Sequence, residues 1–153
     1  MKQDEIFMRQ ALTEAERAGE LGEVPVGAVV VRDGEIIARA HNLRETDHMA
    51  TAHAELLAIE QACRALGTWW LNDCTLYVTL EPCPMCAGTI VNSRMGRVVY
   101  GAKDAKAGAM GSVLNVNSYP FNHKANLESG VLAEECGDVL RVFFAEKRHN
   151  GKG

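Results

Sequence analysis

No stretch of this sequence approaches the roughly 20 consecutive apolar residues that a membrane-spanning helix needs. The first ten residues mix charges with scattered apolar side chains and lack the apolar centre of a secretion signal. A cytoplasmic location, with no membrane partner, is therefore expected. A basic excess is also missing: the formal net charge is −4, which argues against a general nucleic-acid binder with a wholly basic surface. A local basic patch stays open, because Lys103, Lys106 and Lys124 lie in or beside a Gly-rich segment, and Arg141, Lys147 and Arg148 crowd the end. Internal repeats, low-complexity tracts and Pro/Gly-rich linkers are absent, so residues 1–153 are read as one domain. The five cysteines, at 63, 74, 83, 86 and 136, cannot all pair within the chain, and only Cys83 and Cys86 have metal-ligand spacing. Cys63, Cys74 and Cys136 sit in apolar contexts and are expected to be buried small hydrophobes.

What is present alternates between two periods. Residues 3–19 place Phe7, Ala11, Ala15 and Ala18 at helical spacing, ended by Gly19 and Gly22. Residues 26–31 form a nearly continuous apolar run suited to a buried central strand. Asp33-Gly34 signals a hairpin into a second strand at 35–41. A helix is expected over 52–66, a strand over 74–80, a short helix with proline in its first turn over 84–92, and a strand over 97–100. Residues 101–123 read mostly as loop, which at that length in a small domain is usually functional. A short strand at 126–128 and a final helix at 131–148 complete an α/β chain. Helices joining successive strands imply a mixed five-stranded sheet with helices on both faces. Sites in such sheets gather beyond the carboxyl ends of the strands.

Two motifs fall at junctions of that kind. His53-Ala54-Glu55 opens one helix, and Pro82-Cys83-Pro84-Met85-Cys86 hands a strand over to another. Cysteines three apart in a first helical turn can present both sulfurs to one ion, and the positive helix end favours thiolate. Two sulfurs and one imidazole, from His53, suit tetrahedral Zn²⁺ better than Mg²⁺ or Ca²⁺. His41, His48, His123 and His149 have no companion at a familiar ligand spacing. Three protein ligands leave a fourth position for water, whose pKa zinc lowers toward ~7. Glu55, two residues from a ligand, is then the candidate general acid/base. Cys-x-x-Cys alone fits a redox pair or half a structural site, and His-x-Glu alone fits a solvated helix start. In combination they form the signature of zinc deaminases acting on bases.

Longer strings carry a resemblance. Glu23-Val24-Pro25-Val26-Gly27-Ala28, Ala40-His41-Asn42, Thr51-Ala52-His53-Ala54-Glu55 and the run from Leu76 through Pro82-Cys83-Pro84-Met85-Cys86 to Gly88 match a common pattern. So do Arg97-Val98-Val99-Tyr100-Gly101-Ala102, Asp104, Lys106, Gly108, Phe121-Asn122-His123 and Phe143-Phe144. Together they resemble the bacterial tRNA-specific adenosine deaminases of the cytidine deaminase superfamily. That resemblance implies a three-layer α/β/α fold and a hydrolase acting on a cyclic amidine C–N bond. The implied reaction converts adenosine-34 to inosine at the wobble position of a tRNA anticodon loop. It also implies one Zn²⁺ per subunit with water or hydroxide as fourth ligand, activated to attack C6 while Glu55 shuttles protons. Ala54 through its N–H and Asn42 through its amide are implied to orient the nucleoside. Asp104, Lys106, Asn122, Phe144 and Arg148 are implied to hold the flipped-out anticodon nucleotides. A homodimer is implied as well. Trp69-Trp70 departs from the family's more usual Trp-Arg, and Trp70 is expected to pack against a neighbouring helix. Two alternatives stay open: deamination of a free base or nucleotide such as guanine or cytosine, and a non-catalytic, zinc-stabilised RNA-binding module.

Overall fold

The computed structural model describes residues 2–151; the rest of the span read above as one domain lies outside them. Four α-helices and five strands follow in the order α1 (Lys2–Glu20), β1 (Gly27–Arg32), β2 (Glu35–His41), α2 (Ala54–Leu66), β3 (Cys74–Leu80), α3 (Pro84–Asn92), β4 (Arg97–Ala102), β5 (Asn126–Ser129) and α4 (Ala133–Gly151). One turn of 3₁₀ helix, Val116–Ser118, interrupts the long loop before β5. The sheet order is β2-β1-β3-β4-β5. β1 runs antiparallel to both β2 and β3, whereas β3, β4 and β5 are parallel neighbours, so the sheet is mixed. The crossover through α2 therefore passes over β1: β2 and β3, which it connects, are not neighbours.

The hairpin between β1 and β2 is the two-residue kind that the sequence signals. Asp33 (φ 51°) and Gly34 (φ 77°) are both left-handed, as a type I′ turn requires. Alternation along β1 then sorts the core into two layers. Ala28 and Val30 face α2 and α3, packing with Ala58, Ile59, Ala62, Ala87 and Ile90. Val29 and Val31 face the other way, onto Phe7, Met8, Ala11 and Leu12 of α1 and Cys136 of α4. Residues 26–31 read as an unbroken apolar run because both faces are covered. Helix α1 lies so close that a Cβ at Gly27 would overlap the carbonyl of Ala11 and the N–H of Ala15.

Three expectations need correction. Cys74 and Cys136 are buried, but Cys63 is only half-buried. Trp70 does not pack into a helix; it is 56% exposed, and Trp69 beside it 62%, with the Arg94 guanidinium 5.9 Å above the Trp69 ring. Helix α4 starts at Ala133, two residues later than its apolar pattern suggests, because Leu132 takes a left-handed φ of 54°.

Candidate active site

Helices α2 and α3 begin at one place, and each begins with a metal-type side chain. His53 is the N-cap of α2 and Cys83 the N-cap of α3, both in extended conformation. Neither side chain caps its own helix. A capping side chain is normally worth about 0.5–2 kcal/mol, so each position gives up local stability for another contact. That contact is the same for both: Cys83 Sγ and Cys86 Sγ each lie 3.6 Å from His53 Nδ1. All three ligand atoms lie within 4.8 Å of one another. With Zn–S near 2.3 Å and Zn–N near 2.1 Å, a tetrahedral angle separates sulfur from nitrogen by about 3.6 Å, so the donor set fits Zn²⁺. Among the described residues the cluster offers three donors, one short of the four that close a structural site.

These three side chains set one another's proton affinity. A hydrogen bond from Cys86, working against burial and helped by His53, pulls the Cys83 thiol down to about 4. The same bond, together with burial, pushes Cys86 far above the ordinary thiol range. His53 is raised by its bond to Cys83, again against burial. A thiolate flanked by two proton donors is the form that can ligate a metal, whose binding would release those protons.

Glu55 lies one residue into α2 and is only 4% exposed. Burial raises its carboxyl to about 7, opposed by its own backbone N–H and by the charge of His53. A proton carrier is most effective with a pKa near the working pH. The residue opens into a cavity of about 170 Å³ at the end of the sheet where β2, β3 and β4 finish and β1 begins. Val24, Val26 and Leu80 supply apolar walls; Asn42, Arg44, His53, Ala54, Glu55, Glu81, Cys83, Asp104 and Ala107 complete the lining. That volume lies below the roughly 300–1,000 Å³ of pockets enclosing a whole small ligand, and suits one end of a larger molecule.

The predicted site residues divide into three groups. His53, Ala54, Glu55, Cys83, Asn42 and Asp104 line the cavity, with Cys86 wholly buried beside them. Lys106 and Phe144 line an adjoining groove that shares Val24, Leu80, Asp104 and Ala107 with the cavity. Beyond it, Lys106 and Phe144 border a further depression with Arg141 and Arg148. Asn122 sits in an exposed segment and lines none of these. Asn42 is already partly engaged: Nδ2 donates to the Val24 carbonyl at 3.2 Å, and Oδ1 accepts from the Arg44 N–H at 3.1 Å. An amide has two donor hydrogens and two acceptor lone pairs, so these bonds fix its plane and leave one of each for a ligand.

Two glutamates without a role in the sequence reading hold the cavity's edges. Glu23, 1% exposed, accepts from the N–H groups of Glu45 (3.1 Å) and Thr46 (2.6 Å), fixing the turn that follows Asn42. Glu81, 2% exposed, does the same for residues 104–112. Burial opposes ionisation of both, yet these donors outweigh it and hold each carboxyl below its ordinary value. A glutamate at the end of a buried strand, beside Pro82-Cys83, was the available signal for Glu81.

The family described as MafB19-like deaminase matches residues 2–148. A curated relative from Bacillus subtilis, a tRNA-specific adenosine deaminase, is 58% identical over 99% of this chain and 95% of its own. A solved structure from work on A-to-I editing by tRNA:A34 deaminases at the wobble position superposes with a TM-score of 0.86 and 46% identity, covering 88% of this chain and 99% of that one. The guanine deaminase of Bacillus subtilis is further off, with a TM-score of 0.62 and 34% identity over 77% of this chain and 86% of its own.

Proposed function

This chain belongs to the tRNA-specific adenosine deaminases, within the MafB19-like deaminases, and from that premise we propose that it converts the wobble adenosine of a tRNA anticodon to inosine with a zinc ion at His53, Cys83 and Cys86. The observation that carries this reading is an open three-donor cluster with the buried Glu55 carboxyl beside it, facing a base-sized cavity. Zinc, when bound, supplies a Lewis acid that lowers the pKa of a neighbouring water toward ~7.

The chain's own residues do the rest. Glu55 takes one proton from water at its carboxylate and delivers it to a ring nitrogen of adenine; it then takes the second from the new C6 hydroxyl and passes it to the departing amine. Overall, the C6–N bond breaks, a C6–O bond forms from water, and ammonia leaves. The N–H of Ala54, at the positive start of α2, and the remaining amide capacity of Asn42 orient the nucleoside. Val24, Val26 and Leu80 exclude bulk water from one side of the base. The groove leading out of the cavity favours a polymer over a free base. It offers Lys103, Lys106, Arg141 and Arg148 for phosphates and Phe144, 41% exposed, for stacking, without a positive net charge overall. Asp104 and Asn122 belong to the same RNA-facing set. A homodimer in the cytoplasm goes with this reading; Trp69 and Trp70 leave exposed apolar area beside the groove between α2 and α3 for a second subunit.

The test is incubation of zinc-loaded protein with an anticodon stem-loop carrying adenosine at the wobble position. Inosine at that position is the expected product. The likeness to guanine deaminase makes free guanine the control: its deamination without inosine in the RNA would replace this reading.

A further inference from the structure

The chemistry drawn at the cavity gives no role to one buried carboxylate in its lining, Glu81. Glu81 follows β3 directly and precedes the Pro82-Cys83 turn. Its Oε1 accepts from the Asp104 N–H at 3.1 Å and from the Ser112 hydroxyl. Its Oε2 accepts from the N–H groups of Met110 at 3.1 Å and Ser112 at 3.0 Å. One carboxylate thus gathers both ends of a loop that leaves β4 and returns to it. Gly108 lies against the same carboxylate, where any side chain would overlap it. The Ala109 N–H bonds the Pro82 carbonyl at 2.8 Å, so the loop is seated on the turn that bears Cys83.

We propose that Glu81 is a positioning residue for substrate binding: it presets the outer wall of the base pocket by fixing Asp104. The transmission is short. Asp104 Oδ1 accepts from the N–H groups of Lys106 (3.0 Å) and Ala107 (3.1 Å), so wherever Asp104 is held, those two follow. Asp104 and Ala107 line the cavity, and Lys106 lines the groove beyond it. Glu81 itself acts through this loop and takes no part in the chemistry. The inference rests on the deaminase reading above and names the device that readies its pocket.

The role requires a carboxylate. In Glu81→Gln the amide nitrogen can only donate. Turned toward the Ser112 hydroxyl, which accepts, it keeps the bonds to Met110 and Ser112 N–H and strands the Asp104 N–H. The opposite orientation strands two donors and is disfavoured. The substitution therefore releases the Asp104 end of the loop and leaves the Met110–Ser112 end in place.

The experiment measures hydrogen exchange, zinc content and steady-state editing of the anticodon stem-loop for wild type, Glu81→Gln, Asp104→Ala and the double variant. Glu81→Gln should keep one zinc per chain and exchange its Asp104 amide at least about tenfold faster, with Met110 and Ser112 still protected. Its KM should rise about tenfold while kcat stays within about threefold. On the Asp104→Ala background the same substitution should add little, because both act through one element. Ser112→Ala, which removes one of the four bonds, should raise KM in the same direction by less. An unchanged Asp104 exchange rate, additive effects in the double variant, or a kcat loss accompanied by lost zinc would each overturn the proposal. Failure of wild type to edit the stem-loop would overturn the deaminase reading instead, and the exchange pattern would still decide the role of Glu81.

Discussion

Glu55→Gln separates two properties that one buried carboxyl combines. In protein stripped of metal, the folded carboxyl titrates near 7 against an ordinary 4.5. The folded state therefore binds the proton more tightly than the unfolded state between those values. Stability from this group is full below 4.5 and is lost as pH rises toward and through 7. At 1.36 kcal/mol per pH unit, the interval amounts to about 3 kcal/mol. Glutamine has no such titration. The stability of Glu55→Gln relative to wild type should accordingly climb by up to about 3 kcal/mol between pH 4.5 and pH 8. Urea unfolding of both chelated proteins at several pH values reads this; groups away from the site contribute alike to each, and His53 and Cys86, which feel the Glu55 charge, are followed separately by their own titration in both proteins. With zinc restored, the same variant should hold one ion per chain and lose about 10²–10⁴-fold in kcat. Parallel stability curves would refute the burial argument, and undiminished turnover would refute the proton-carrier role; the two results are independent.

Three other perturbations probe the frame around it. His53→Ala removes the only nitrogen from the donor cluster, so zinc content after dialysis should fall well below one per chain; full retention would take His53 out of the ligand set. Asp4→Asn removes the negative charge facing Arg97 and one of its two 2.8 Å bonds from that guanidinium, while the remaining amide oxygen can still accept from Arg97 and from the Tyr77 hydroxyl. It should cost about 2–4 kcal/mol at pH 7. The Arg97 bonds hold the Asp4 carboxyl well below its ordinary 3.8, so this contribution is present above 3.8 and lost as pH falls further. The cost measured in urea should therefore shrink by pH 3, and an equal cost at pH 3 and pH 7 would contradict the linkage. Gly27→Ala drives a methyl into the backbone of α1 at Ala11 and Ala15; a loss of about 3 kcal/mol is expected, and an unchanged melting temperature would show that α1 can shift without cost.

Much of this was written in side-chain pattern. Residues 35–41, 74–80 and 84–92 begin and end where apolar alternation, β-branching and a first-turn proline place them. Helix α2 begins at Ala54, two residues after its apolar pattern starts, because His53 is its extended N-cap, with its ring turned to Cys83 and Cys86. The cluster of His53, Cys83 and Cys86 was legible because its chemistry needs particular side chains at particular spacings. Glu23 and Glu81 were not, although both stand inside strings quoted for their resemblance. Apart from the Ser112 hydroxyl, their partners are backbone N–H groups of loops 22 or more residues away. Every residue but proline offers such a donor, so no residue type in the loop announces the bond. Trp70 was misplaced for a related reason: an aromatic beside a helix end normally finds cover, and within one chain here it finds none.

Glu55 can be picked out by physics alone, apart from any motif. Burial is not what distinguishes it, since Asp4, Glu23 and Glu81 are all at most 5% exposed as well. Burial alone disfavours the charged form of every one of them. Asp4 answers with the Arg97 guanidinium, Glu23 with two backbone N–H groups, and Glu81 with three N–H groups and a hydroxyl; each of those carboxyls titrates below its ordinary value. Glu55 has no comparable set of donors, and its carboxyl moves the opposite way, to about 7. Carboxyls whose environments push them apart in one fold are doing different work. Three are held charged to fasten loops and strands. The fourth, Glu55, is raised by burial instead and stands beside His53, Cys83 and Cys86 at the cavity, which fits the proton carrier proposed above. A purely structural carboxylate there would have been given donors, as its neighbour Glu81 was.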